Sequence, residues 1–137
     1  MSIALPQQAS PALGAALLRI ALGLMWLSHA ILLKLMTFGI AGLAAWMATQ
    51  GLPPALAWPL VIAETLGGTL ILLGLHGRWA SLALLPVLIG ATVIHAGNGW
   101  VFTSANGGWE YPVFLLVASV AHILQGDGEL AIKRSQA

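Results

Sequence analysis

The chain has 137 residues, of which 59% are hydrophobic and only 7% charged, with a formal net charge of +1; its mean hydropathy is +0.93. Soluble domains carry roughly a quarter charged residues, so this composition excludes a water-exposed surface, and the small net charge gives no basis for binding nucleic acid. Cysteine is absent, which excludes disulfides, thiol–disulfide exchange and thiolate metal sites.

Crossing ~30 Å of hydrocarbon takes about 20 apolar residues, so the length predicts one membrane domain of four helices with short connectors. The opening segment, Met1 to Pro11, lacks the basic stretch and cleavage site of a secretory signal and is expected to remain in the mature protein. The first span is predicted over about Ala12–Met36 and carries Arg19, His29 and Lys34. The following segment, Gly42 to Pro54, is too short to cross and predicts a short interfacial helix with Trp46 at headgroup depth, ending at the turn of Gly51, Pro53 and Pro54.

The second span, about Ala55–Leu75, holds a single acid, Glu64, with Gly67 and Gly68 on the same side, where they would let a neighbouring helix approach closely. After the turn His76-Gly77-Arg78, a third span is expected over about Trp79–Ala96, kinked at Pro86 and carrying His95 near its end. An interfacial loop rich in Gly, Asn and aromatic residues then leads to a short fourth span, about Tyr111–Gln125. The predicted fold is therefore an all-α, four-transmembrane-helix bundle. Arg78, Lys133 and Arg134 against Lys34 place both termini on the cytoplasmic side by the positive-inside rule.

Charges within a membrane cost about 2.5 to 3.5 kcal/mol each and require partners or a cavity. Counting helical rise from the span ends puts His29, His95 and Glu110 at one outer level. Glu64 comes beneath them, and Arg19 a further ~6 Å down, within reach of an ion pair. The expected site is an outward-opening pocket formed by Arg19, Trp26, His29, Glu64, His95, Trp109 and Glu110, with Trp100 and Tyr111 among its walls. The competing reading is structural: Arg19 and Glu64 as a register-setting pair, the histidines as interhelical hydrogen-bonders, the aromatics as an interfacial belt. His29 and His95 are also the candidate metal ligands, with Glu64 or Glu110 to complete the set, though no HxxxH or ExxH spacing accompanies them. His122 has no evident partner. Phosphate-loop, dinucleotide-binding and nucleophile-elbow signatures are absent.

Several stretches together resemble the DoxX family of small four-helix bacterial inner-membrane proteins: Leu18 to His29 with Lys34 following, Ala63 to Arg78, His95, and Gly107 to Pro112. The terminal Gly126-Asp127-Gly128 looks like the family's Gly-Pro-Gly turn. The most specific part is Glu64-x-x-Gly67-Gly68 with a glycine and Arg78 at the helix end. The sequence departs from the family pattern after His29, where Ala30 replaces a glycine and the lysine stands farther on.

The resemblance implies a quinone-linked redox subunit, or the membrane anchor of an oxidoreductase, since members include a subunit of thiosulfate:quinone oxidoreductase and components of redox-stress membrane complexes. Quinone is the cofactor it points to. The expected partners are the lipid bilayer and either a redox subunit or further copies of the chain. Two alternatives stand beside it: a non-catalytic subunit that assembles or stabilises a membrane complex, and binding of a metal or small metabolite at the outer His/Glu cluster.

Overall fold

A computed structural model describes residues 10–136; the amino-terminal segment expected to stay in the mature protein lies outside these residues but for its last two. Helix α1, Pro11–Leu27, starts where Ser10 accepts a hydrogen bond from the Leu13 amide at 3.2 Å and Pro11 occupies the first turn, the side-chain cap and fixed φ that favour a helix start. The helix continues, but from Ser28 to Phe38 its winding is π-helical. Gly39 then adopts φ 70° and ψ 160°, a conformation open to glycine and strained for other residues. The chain turns there, and α2, Gly39–Thr49, packs back along the π segment and the start of the next helix.

After a 3₁₀ turn at Pro54–Leu56, α3 runs over Ala57–Leu73 and stops at Gly74, which takes the left-handed conformation at φ 65° while the Leu75 amide returns to the Leu70 carbonyl. Helix α4 spans Gly77–His95 and continues through Pro86, whose missing N–H leaves the carbonyl four residues earlier without its ladder donor. Helix α5 spans Glu110–Gln125. Helix α3 packs against both α1 and α4, and α5 closes the ring by packing on α4 and α1.

Glycines set the spacing in this ring. A Cβ on Gly23 would lie 2.7 Å from the Leu72 backbone, and one on Gly68 2.8 Å from the Trp26 side chain, so α1 and α3 meet at backbone distance. Gly67 faces the other way, where its Cβ would meet Leu84 of α4. The expected role of the Gly67-Gly68 pair is borne out, with one glycine serving each neighbour. Leu22, Trp26, Ile71, Leu84 and Leu88 form the principal core, and Leu43, Met47, Ala57 and Val61 a second one between α2 and α3.

Three helical stretches are long and apolar enough to cross a membrane: Pro11–Thr49, Pro54–Leu73 and Gly77–Asn98. Helix α5, at 16 residues, is ~24 Å long, slightly short of the hydrocarbon thickness. Its outward Phe114, Val117 and Leu124 are exposed, as are Leu17, Leu66 and Val93 on the other helices, the arrangement of an apolar exterior facing lipid.

Candidate functional site

Glu64 is 1% exposed, and its carboxylate accepts from the Lys34 ammonium at 2.9 and 2.7 Å. The expected Arg19–Glu64 ion pair is thus corrected: the partner of Glu64 is Lys34, on the π-helical segment. The reason is geometric. Rise counted from the span ends assumes straight α-helices starting in one plane, whereas Arg19 stands opposite the last turn of α3, at Ile71 and Leu72. Lys34 remains 16% exposed, so the pair is buried on the acid side and open on the base side. Two ammonium protons are engaged by Glu64; the third is engaged by no described residue.

The π winding has a second effect. Its i→i+5 hydrogen bonding stacks residues five apart on one side of the helix, where an α-helix would set them well apart, so His29 and Lys34 share a face. His29 donates from Nδ1 to the Met25 carbonyl at 2.9 Å, leaving the Nε2 lone pair free. Its ring stacks on Tyr111 of α5, with centroids 5.9 Å apart and planes inclined by 23°, and the Tyr111 hydroxyl donates to the Met25 sulfur.

His95 is held in the same way, Nδ1 donating to Ala91 O at 2.7 Å, but it belongs to another neighbourhood: a cavity of about 210 Å³ lined by the ends of α2 and α4 and by Asn106. No hydrogen bond or ring stacking joins it to His29. Glu110 accepts from the Phe102 amide at 2.8 Å and pins the turn after Trp100. Trp109 packs edge-on against Trp100 with centroids 4.5 Å apart. Trp26 lies in the core among Leu22, Ile71, Leu84 and Leu88. The structure therefore divides the expected pocket residues among several places. Among the described residues no three His, Asp or Glu side chains gather as a metal site would require.

Arg19, 1% exposed, spends its guanidinium on four backbone carbonyls: Asp127 at 2.8 Å, Ile71 at 3.0 Å, Glu129 at 3.2 Å, and Leu72. It fastens the segment after α5 beneath α1 and α3. Asp127 completes the clasp, accepting from the Arg78 amide at 2.8 Å, the Ser135 amide at 2.6 Å and His122 Nε2 at 3.2 Å. Burial by itself would raise the Asp127 carboxyl, but the Ser135 and Arg78 donors and the adjacent His122 outweigh it and hold the group below the usual carboxylate value. With Nε2–H directed at Asp127, His122 Nδ1 accepts from the Ser81 hydroxyl at 2.8 Å.

Ser81, His122 and Asp127 have the composition of a nucleophilic triad, yet they are 1%, 0% and 3% exposed. No substrate reaches such a hydroxyl, so the chain of hydrogen bonds joins α4, α5 and the tail. Sequence reasoning missed this clasp and left His122 without a partner. The available signal was Asp127 itself, an acid between two glycines five residues beyond His122. Lys34 was visible too, but was spent on the count of terminal charges.

A family model described as DoxX matches residues 14–97, more than half of the chain and the whole of α1 to α4 except the first three residues of α1. No curated protein matches the chain, nor does any solved structure. The chain belongs to the DoxX family and is a membrane protein.

Proposed function

We propose that this DoxX-family membrane protein is a quinone-linked redox subunit, or the membrane anchor of an oxidoreductase, and that the headgroup is received beside Lys34, Glu64 and His29. The observation that carries the reading is the Lys34–Glu64 pair, an ion pair set among apolar helices with its ammonium part-exposed and one N–H to spare. Intramembrane charges are costly and by default mark a functional site. The third N–H of Lys34 can donate a charge-assisted hydrogen bond to a carbonyl oxygen. On the same face His29 Nε2 is a lone pair able to take a hydroxyl proton. Glu64 holds the ammonium charged and in place, and Tyr111 fixes the plane of the His29 ring. A bound quinone would supply the two-electron, two-proton chemistry.

In this reading all of α1, α3, α4 and α5 span the bacterial inner membrane. With Lys34 taken up inside the bundle, the basic residues left near the helix ends are Arg78, Lys133 and Arg134. Arg78 and Lys133 lie together, since the His76 amide bonds the Lys133 carbonyl; that end is cytoplasmic by the positive-inside rule, as are both termini. A second reading, a subunit that stabilises a larger complex, is favoured by the turn at Trp100, Val101 and Phe102, which Glu110 holds rigid with its apolar side chains exposed.

The test is quinone binding by protein purified in mild detergent. Retained quinone and a rise in thermal stability with a short-chain ubiquinone analogue are expected. His29→Phe, which keeps the stack on Tyr111 but removes Nε2, should weaken binding by about tenfold. Protein that retains no quinone and shows no shift refutes the redox reading; recovery of a fixed partner in its place supports the second.

A further inference from the structure

The winding of Ser28–Phe38 is not dictated by its own residues. The segment holds no proline and no glycine, so nothing in it prevents the ordinary ladder of hydrogen bonds to the fourth residue back. Side-chain hydroxyls report the difference directly. Ser28, Thr65, Thr69 and Thr92 each donate to the carbonyl four residues back, whereas Thr37 donates to Leu32 O, five residues back, at 2.7 Å. Long π runs are rare, and π turns gather at functional sites. Contacts from outside the segment therefore hold this one.

Those contacts are few. Of the eleven residues only Ala30 is buried, and Ile31, Leu32, Leu33, Met36, Thr37 and Phe38 are exposed. The polar ties to other helices are the Lys34–Glu64 pair and the stack of His29 on Tyr111; Leu35 adds packing against the core between α2 and α3. At the far end Gly39, at φ 70° and with open space within 4 Å of where a Cβ would stand, gives the chain a joint. Wound as an α-helix, the segment would set Lys34 about 140° round the axis from His29, away from Glu64. Such a rotation leaves the lipid-facing side apolar, because apart from Lys34 every residue from Ala30 to Met36 is apolar. Lys34 itself lies about one turn before Phe38, the end of the segment, where its stem can carry the ammonium to the headgroups.

We propose that Ser28–Phe38 is a two-position element: it is wound as a π-helix while Glu64 is charged and paired with Lys34, and rewinds to an α-helix when the pair is neutralised, carrying Lys34 off the face it shares with His29. The elements packed on α3 bring Arg19, His29, Lys34, Arg78 and His95 as titratable groups. Of these Lys34 alone bonds Glu64; Arg19, His29, Arg78 and His95 are each engaged by backbone carbonyls. Glu64 is thus the control and Lys34 the moving part. The inference concerns the helix and holds whichever ligand Lys34 meets.

The chain has no cysteine, so an introduced pair of thiols reports alone. Ile31→Cys with Met36→Cys puts them at two exposed positions five residues apart. The π winding sets these on one side in adjacent turns, whereas an α-helix holds their Cα atoms about 8.7 Å apart, beyond the ~7 Å limit for a disulfide. The full chain in nanodiscs is oxidised with copper phenanthroline, and the thiols that remain are counted by maleimide labelling. The pair should close, and Val120→Cys with Gln125→Cys, at the same spacing in the α-helical α5, should not. Adding Glu64→Gln, or Lys34→Met together with Glu64→Leu, which strands no charge, should slow closure at least about tenfold, while Lys34→Arg, which keeps the charge pair, should preserve it. Helical content and elution volume show which variants are folded, and the double substitution answers where Glu64→Gln does not fold. An Ile31/Met36 pair that stays reduced in the otherwise wild-type chain, closes no faster than the α5 pair, or closes at the wild-type rate in a folded variant without the ion pair overturns the proposal. None of these measurements uses quinone, so they stand or fall separately from the redox reading.

Discussion

Replacing Lys34 by methionine removes the ammonium and leaves the Glu64 carboxylate, 1% exposed, without its ion-pair partner. Breaking a buried pair by removing one member costs about 3 to 5 kcal/mol. The expected destabilisation is therefore about 3 to 5 kcal/mol. Glu64→Gln should cost less, about 1 to 2 kcal/mol, because Lys34 is 16% exposed and its flexible stem can carry the charge toward the interface. The double variant Lys34→Met, Glu64→Leu should recover to within about 1 kcal/mol of wild type. Unfolding in mixed micelles, followed by circular dichroism, completes the double-mutant cycle. A second cycle with Arg19→Met should show little direct coupling to Glu64, since the two share no hydrogen bond. Lys34→Met protein as stable as wild type at pH 7, or coupling of Glu64 to Arg19 in place of Lys34, would refute the argument.

Gly23→Ala should destabilise by about 1 to 3 kcal/mol, because its Cβ would press on the Leu72 backbone 2.7 Å away, while Gly67→Ala should cost less, its neighbour being the movable end of Leu84. Gly14→Ala, with nothing within 4 Å, should stabilise by about 0.5 to 1 kcal/mol and serves as control for both in the same unfolding assay. The carboxyl of Asp127 is held below its usual value, so its contribution is fully present above the unfolded pKa of ~3.9 and is lost as pH falls through the lower folded value. Amide exchange of Ser135 and Arg78 should accordingly accelerate only below about pH 4, and Asp127→Asn should show the fast exchange at neutral pH; acid-independent exchange would contradict the assignment. His122→Phe should free the segment after α5 to limited proteolysis while Ser81→Ala does so less, because His122 bonds Asp127 directly and Ser81 reaches it only through His122.

What could be read in the sequence follows from what hydropathy and glycine spacing encode. The three long apolar helices, the short helix after the first, and the close approach at Gly67 and Gly68 all depend on local composition and appear where expected within a few residues. The polar partners do not, because they depend on where one helix stands relative to another. A π-helical stretch at Ser28–Phe38 changes both the phase and the height of Lys34, and it leaves no mark in hydropathy. Rise counted along straight helices sets Arg19 within reach of Glu64; in the structure its donors go to carbonyls of the end of α3 and of the tail, groups every sequence possesses and none advertises.

That choice of partners explains why the charged residues divide as they do. A guanidinium bound to four carbonyls and an Asp127 held by two backbone amides and by His122 each find their partners within the fold; both fasten the tail to the bundle. Lys34 and Glu64 are satisfied only by one another. A fully satisfied network is rigid, whereas a lone pair with a spare donor and a part-exposed side can exchange its partner for an incoming group without exposing an orphaned charge. The end of the molecule at Arg19 is thus built to stay closed, and the position of Lys34 is the one where an apolar, carbonyl-bearing ligand would meet a charged donor at least cost to the fold.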